Sequence, residues 1–434
     1  MKVAIVYQYF QGHGAPGHSS IYELAHHLSE RGHDISVVAG ESGYMKRAHA
    51  QLPWYRRLLR RERDGRVMIV RTFAYTQLHR SYLGRLWSFA SFSLSCPFGL
   101  LACGRPDVIV ASSPPIFPMV TAWALARARG IPFVFEVRDL WPASAVQMGI
   151  VSSRALIGVM AWIERFLYTR ADRIVALTEG IRDDIVARGW PRGKIEVVTA
   201  GVDETQLYPD PGAGKALRER LGWADRRVVL YFGALGEANN IGVTLRAARA
   251  LRDDPSVLFV LVGDGMKRAE IEHTIAEQGL SNVLLLPPVP KQEARAYINA
   301  ADLCLVTLRD IPLFDGAIPT KLIDYMACGR PVLCGVRGEA RRIVEQADAG
   351  RVFEPDDEQE LVGAIAALGD PDVPLAAMGA RALAFVRTHY CALTMRSRME
   401  RLLQSVAGEP VTAGGHEAGD PAVRPDSDTG AGGR

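Results

Sequence analysis

The sequence has no Cys-x-x-Cys pair, no Gly-x-x-x-x-Gly-Lys-Ser/Thr run and no His-Glu-x-x-His in its 434 residues. These absences argue against zinc-ribbon and thioredoxin-type chemistry, a Walker-type nucleotide site and a zincin. Asp-x-Asp occurs only at Asp370–Asp372, in an expected turn between late helices, and at Asp426–Asp428, in a polar tail. Neither follows a strand, so no catalytic metal is expected. Long apolar runs are also lacking. The best candidate, Leu83–Cys103, is interrupted by Arg85, four serines and Pro97, and reads as a buried or interfacial helix, not a membrane span. No short solenoid repeat is found. The N-terminal apolar run, Val3–Val6, has no small-residue cleavage site after it and reads as a first strand, not a signal peptide.

What is present describes a globular, cytosolic chain. Hydrophobic residues make up 48%, enough for two cores, and the six cysteines (96, 103, 304, 328, 334 and 391) read as buried reduced thiols. Charge is unevenly spread. Residues 1–205 hold 25 Lys/Arg against 17 Asp/Glu, a net +8, which leaves −5 for the rest of a chain whose total is +3. A basic N-terminal half points to an anionic membrane face or a phosphorylated substrate. Residues 45–66 concentrate the effect: eight Lys/Arg interleave with Leu52, Trp54, Tyr55, Leu58 and Leu59. Such a stretch can lie on an anionic bilayer, the alternative being a solvated basic loop. The location read from this is cytoplasmic, with peripheral attachment to the inner face of the plasma membrane as its extension. No RNA- or DNA-binding motif accompanies the charge, so nucleic acid is set aside.

Short apolar runs alternate with helical periodicity along most of the chain. Strands are expected at 2–7, 34–39, 67–71, 107–111, 132–137, 173–177 and 195–198, with helices between them. Residues 200–226, with Gly201, Pro209, Pro211, Gly212 and Gly214, read as an interdomain linker. Strands resume at 228–232, 257–262, 283–286, 303–306 and 331–334, and helices near 339–346, 358–368 and 375–405 follow. The fold class is therefore α/β: two doubly wound, Rossmann-like domains, each a parallel sheet covered on both faces. The boundaries are 1–205, 206–385, a C-terminal helix at 386–407 that returns to the first domain, and a disordered tail at 408–434. Ligands of such sheets bind beyond the carboxyl ends of the strands, so two facing domains make one cleft.

Glycine loops fall at those ends. Gly12–Gly17 matches Gly-x-Gly-x-x-Gly by letter, and Glu41 after the second strand could be a ribose acid. That is the case for a rival function, an NAD(P)- or FAD-dependent oxidoreductase. Four residues, Gln8–Gln11, separate the strand from Gly12, and Pro16 removes an N–H that a pyrophosphate would use. The loop then reads as a flexible cleft lining around Gly14. Val262-Gly263-Asp264-Gly265 and Phe232-Gly233-Ala234-Leu235-Gly236 end second-domain strands, where glycines permit close approach by a base, sugar or phosphate, or simply form tight turns.

Two further segments carry ionisable groups to the cleft. Ile311–Val332 contains a loop ending at Pro319, Thr320 as a helix N-cap, Lys321 in the first turn, Asp324 one turn on and Gly329 as a terminator. Free N–H groups, a positive dipole end and a lysine suit a phosphate, and Asp324 can accept from a neighbouring hydroxyl. Glu136-Val137-Arg138-Asp139-Leu140-Trp141-Pro142 ends a first-domain strand. Alternation sends Glu136 and Arg138 to one face and leaves Asp139 at the strand end, as catalytic groups or as a salt-bridged structural cluster.

As a set, Tyr231-Phe232-Gly233, Val262–Gly265, Ala300-Ala301-Asp302 and Pro319–Val332 resemble the retaining glycosyltransferases of family 4. Arg31-Gly32-His33-Asp34 and Glu179-Gly180-Ile181 add to the likeness, which spans roughly residues 1–405. Glu136–Ser144 further resembles the bacterial subgroup that includes the fucosamine transferase of O-antigen synthesis. The resemblance implies the GT-B architecture and metal-independent transfer, with retention, from a nucleoside-diphosphate sugar that is a substrate and not a cofactor. It implies a UDP-linked N-acetylated hexosamine or deoxyhexosamine as donor, and a lipid-linked or small-molecule hydroxyl as acceptor. A nucleotide-sugar epimerase of the same fold is the alternative. By position, Lys321 would act on the diphosphate and Asp139 near the acceptor, together making the catalytic pair. Gly14, Gly233, Gly236, Gly263, Asp264, Gly265, Pro319, Thr320 and Asp324 would line the donor, and Glu136, Arg138 and Trp141 the acceptor side. Two departures stand out. Gly316 occupies the place of the family's first acid, leaving open whether Asp315 substitutes, and Gly236–Asn240 replaces a usual Arg/Lys pair.

Overall fold

The computed structural model describes residues 1–11, 20–40, 58–75, 82–147, 151–223 and 225–410. Gly14 with the whole Gly12–Gly17 loop, the basic stretch up to residue 57 and the tail from 411 lie outside the described residues.

The first half is one eight-stranded sheet. Its strands are β1 (Lys2–Val6), β2 (Asp34–Gly40), β3 (Leu59–Asp64), β4 (Val67–Thr72), β5 (Val108–Ser113), β6 (Phe133–Val137), β7 (Arg173–Ala176) and β8 (Ile195–Val197). Between them run α1 (Ser20–Glu30), α2 (Tyr82–Ala102), α3 (Phe117–Arg129), α4 (Ala143–Gln147), α5 (Arg154–Arg170) and α6 (Glu179–Ala187). The strand order is β3-β4-β2-β1-β5-β6-β7-β8, parallel except for β3. The second half opens with α7 (Pro211–Leu221) and carries β9 (Arg227–Phe232), α8 (Ile241–Ala250), β10 (Val257–Val262), α9 (Arg268–Glu277), β11 (Val283–Leu286), α10 (Lys291–Ala300) and β12 (Leu303–Thr307). A 3₁₀ turn (Pro312–Gly316), α11 (Thr320–Ala327), β13 (Val332–Gly335), α12 (Glu339–Gln346), β14 (Gly350–Val352), α13 (Glu358–Leu368), α14 (Leu375–His389) and α15 (Ala392–Ala407) complete it. Its six strands are all parallel, in the order β11-β10-β9-β12-β13-β14.

Helices on both faces explain the unbroken apolar runs. Every residue of β5 and β10 is buried, so alternation would place polar groups in a core. An Asp at Val260 would bury an unpaired carboxylate there. In the first half α2, α3, α5 and α6 share a core on one face, and α1 with α15 covers the other. The last helix thus packs on the first sheet, through Met395, Met399 and Leu403. Ion pairs hold it: Arg396 to Glu23 at 2.7 Å, and Glu400 to Arg31 at 3.2 Å and His33 at 2.9 Å.

Three expectations are corrected. The linker at 200–226 contains α7, because Asp210 caps it by accepting from Ala213, Pro211 opens it and Gly222 closes it at φ +72°. The end of the basic stretch is β3, an edge strand paired antiparallel to β4; Glu62 bridges Arg60 and Arg71. The expected helix at 375–405 is two. It breaks at Tyr390–Cys391, where the chain turns to pair with Val202: the Val202 N–H donates to the Tyr390 carbonyl at 2.9 Å and the Ala392 N–H to the Val202 carbonyl at 3.1 Å.

Candidate active site

In the second sheet the strand order reverses between β9 and β12, since the chain winds outward from β9 to β11 and then back through β12 to β14. Ligands of open sheets bind at that reversal, beyond the strands' carboxyl ends. The loop after β9 meets the end of β12 there: the Thr307 hydroxyl donates to the Asn239 carbonyl at 2.6 Å, and the Arg309 N–H to the Ala238 carbonyl at 3.0 Å.

Lys321 reaches into this place from the first turn of α11. Its ammonium donates to the Tyr231 hydroxyl and, at 3.2 Å, to Asn239 Oδ1, and stands 3.9 Å from the centre of the Tyr231 ring. Among the described residues no carboxylate pairs with it, and burial pushes its amine down to about 7. A buried amine whose partners are neutral is poised to take an anion. Tyr231 and Asn239 were not among the expected site residues. Tyr325, one turn beyond Lys321, accepts from the Phe232 N–H at 2.8 Å and so fixes the end of β9 to α11. Asp324, half-buried, lies one helical turn from Lys321.

The start of α11 differs from expectation. Pro319 is the capping residue and Thr320 is already helical, with no side-chain cap bond. The Leu322 N–H donates to the Pro319 carbonyl at 2.9 Å, while the Thr320 and Lys321 N–H groups meet no partner among the described residues. Gly329 terminates the helix at φ +64°, as read from the sequence.

The glycines serve each other more than was expected. A Cβ on Gly263 would lie 1.8 Å from the Gly233 carbonyl oxygen, and one on Gly265 would lie 2.4 Å from that of Leu235. The loops after β9 and β10 therefore touch backbone to backbone. Gly233 itself faces Lys321, whose Nζ would be 3.4 Å from an added Cβ. The exposed Asp264 accepts from the Gly265 N–H at 2.8 Å, closing its own turn. Gly236 lies beside Asn239. Where the family's Arg/Lys pair is missing, Glu237 sits between Lys267 at 3.0 Å and Arg309 at 3.2 Å, so two cations flank the loop from neighbouring elements.

In the first half, Glu136 and Arg138 do share a face and form an ion pair at 3.3 Å. Glu136 accepts from Ser112, and Arg138 donates to Ser20 at 2.8 Å. Both line a small cavity bounded by α1 and α15. This is the geometry of the salt-bridged cluster. Asp139 stands apart from it, and burial raises its carboxyl above the ordinary range. Trp141 packs edge-on against Phe89 at 5.8 Å.

The halves meet at the 3₁₀ turn, which packs against α4 and α6. The Thr178 hydroxyl donates to the Gly316 carbonyl at 2.6 Å. A Cβ on Gly180 would lie 2.3 Å from the Gly316 Cα, so Gly180 has no room for a side chain, and one on Gly316 would be tight at 3.2 Å. Glu339, from α12, accepts from the Gly180 N–H at 2.8 Å and the Glu179 N–H at 3.3 Å, capping α6 from across the interface. The segment that carries Asp139 and Trp141 leads into α4, and the turn leads into α11, so the two segments are joined at this contact.

Residues 17–201 match the glycosyl transferase 4-like domain family, and residues 226–370 match glycosyl transferases group 1. The chain carries the two domains of a glycosyltransferase. This glycosyltransferase is 26% identical over 362 residues to a GDP-mannose-dependent alpha-mannosyltransferase of Mycolicibacterium smegmatis, covering 82% of this chain and 85% of that one. It is 22% identical over 387 residues to the amylovoran biosynthesis glycosyltransferase AmsK of Erwinia amylovora, covering 82% and 89%. Sucrose-phosphate synthase from Thermosynechococcus elongatus superposes with a TM-score of 0.74 at 17% identity, over 94% of this chain and 99% of that one. Anabaena HepE in complex with UDP-glucose superposes at 0.68 and 19% identity, over 93% and 100%. The fold of the glycosyltransferase is GT-B, two Rossmann-like halves as the strand pattern indicated.

Proposed function

We propose that the protein transfers a sugar, with retention of anomeric configuration and without a metal, from a nucleoside-diphosphate sugar to a hydroxyl of a lipid-linked or small-molecule acceptor in glycan biosynthesis. The observation that carries this reading is Lys321: a buried amine bonded to neutral partners, at the start of a helix with uncapped N–H groups, at the strand-order reversal of the second sheet. A diphosphate placed there gains a cation and helix N–H groups as the bond to the sugar breaks, which is where charge develops. Asp324 accepts from the ribose, and Gly233 lines the donor beside Lys321, while Gly263 and Gly265 let the loops after β9 and β10 close up next to it. Asp139, from the first half, faces the acceptor hydroxyl. Water is excluded by the contact between halves.

The donor we infer is a UDP-linked N-acetylated hexosamine or deoxyhexosamine, in keeping with the likeness to the fucosamine transferase subgroup. GDP-mannose is the competitor, because two relatives depend on it by name. The test is a donor panel with a hydroxyl acceptor, read for free nucleoside diphosphate and for the anomer of the product by NMR. Release of diphosphate with a retained anomer is expected. An isomerised nucleotide sugar would identify an epimerase, an inverted product would overturn retention, and turnover with GDP-mannose alone would overturn the UDP assignment.

A further inference from the structure

The layer formed by α2, α3 and α5 presents an apolar face that nothing among the described residues covers. On α2, Trp87, Leu94, Phe98 and Leu101 are 65%, 72%, 65% and 51% exposed. At 100° per residue these four fall within an arc of about 60°, opposite the buried Phe92, Cys96 and Leu100. The stripe is thus a second apolar face on a helix already using its first. On α5, Trp162 is 62% exposed and stacks on Phe166, which meets Trp123 of α3 edge-on at 4.6 Å. A chain of aromatic rings therefore runs from the core of the layer to its surface.

The charge on this layer has one sign. Neither α2 nor α3 contains an acidic residue. The one acid of α5, Glu164, is turned inward and held by Arg188 at 2.8 Å and by Tyr168 at 3.1 Å. Arg165 and Arg170 of α5 are exposed and flank an open groove whose floor is Gly158 and Ala161 and whose wall is Trp162. A partner protein of ordinary mixed charge would leave these arginines without systematic complement. A surface that is apolar beneath and uniformly anionic above satisfies rings and guanidinium groups together.

We infer that the outer face of α2 and α5 docks on an anionic lipid bilayer, rings and aliphatic groups in the interface and Arg165 and Arg170 at the phosphates. Among the described residues no helix is long and apolar enough to cross a membrane, so the contact lies on the bilayer and not through it. The sequence placed membrane contact in the basic stretch at 45–66 and in the apolar run at 83–103. The face inferred here takes in the second of these and adds α5. The inference does not rest on sugar transfer, since transfer to a soluble acceptor can persist when docking is lost.

The test is flotation of the full chain with phosphatidylcholine vesicles, with and without about one third phosphatidylglycerol. The wild type is expected to float with the anionic vesicles and to be released by salt. A Trp87→Ser/Phe98→Ser/Trp162→Ser variant and an Arg165→Glu/Arg170→Glu variant are each expected to bind about tenfold less, with unchanged melting temperature and unchanged transfer to a soluble acceptor. Absence of wild-type binding, or binding by both variants equal to wild type, overturns the inference. So does cross-linking of the wild type into dimers through Trp87 and Trp162, which would make the face a protein interface.

Discussion

The Lys321 ammonium lies over the ring of Tyr231 and donates to that residue's own hydroxyl, so one buried tyrosine both screens and anchors the charge. Tyr231 ends the first strand of the second sheet and Lys321 begins the helix after the fourth, and their meeting defines the site.

Removing the amine tests its role. Lys321→Ala is expected to lower kcat/KM by about 10²- to 10³-fold, the range for losing one preorganised group that meets developing negative charge. Steady-state release of nucleoside diphosphate measures it. Turnover within a few-fold of wild type would remove Lys321 from the chemistry.

Proton uptake is a second consequence. With the amine pushed down to about 7 from its ordinary 10.5, the folded protein is largely deprotonated there at pH 8. A bound diphosphate restores the charge, so UDP binding at pH 8 should take up close to one proton, read by calorimetry in HEPES and in Tris. The unfolded chain holds that proton up to about 10.5, hence more protons than the folded one between the two values. Stability of the free protein should therefore gain from this group as pH rises through that window, and Lys321→Met should lack the gain in urea midpoints measured at pH 7 and 9.

The contact between halves separates binding from turnover. Gly180→Ala places a methyl group against Gly316, within 2.3 Å of its Cα. With the nucleotide held by the second half as proposed, UDP affinity by calorimetry should be unchanged while kcat falls by about tenfold or more, as expected when assembly of two site halves is obstructed. Equal kcat would show that this contact is not part of the working state.

Glu400 anchors the last helix to the first sheet and is nearly buried beneath Arg31 and His33. Glu400→Ala leaves the half-exposed Arg31 guanidinium and the His33 ring without their carboxylate and should cost about 2 kcal/mol of stability. A lower urea midpoint and faster protease cleavage near residues 388–392 would report it.

Much of this was legible in order, and less of it in depth. The strand pattern gave both sheets except β3 and β14, because buried parallel strands must be continuous apolar runs and the polar β3 and three-residue β14 are not. The helix that carries Lys321 and Asp324, with its end at Gly329, was legible because helix starts and ends use few residue types. Tyr231 and Asn239 were not: they lie 90 and 82 residues before Lys321, and only the strand-order reversal brings them to it. The glycines misled in a related way. Gly263 and Gly265 signal close approach correctly, but the approaching group is another loop of the chain. Likewise Pro211, Gly214 and Gly222 read as a linker although they open, pack and close a helix. Gly214 in fact lets α7 lie on the Asn299 carbonyl, 2.3 Å from where a Cβ would be.

The chain passes between its halves twice, at Gly201–Val202 and at Tyr390–Ala392, and the two passages are hydrogen-bonded to each other. A Cβ on Gly201 would lie 2.5 Å from the Ala392 Cα, so they run as close as backbones can. Two tethers placed far apart would permit only sliding or would tear one sheet. Two tethers zipped side by side leave a single hinge axis and one degree of freedom. Any parting of the halves would then have to follow one arc, and its reversal would bring α6 back to Glu339.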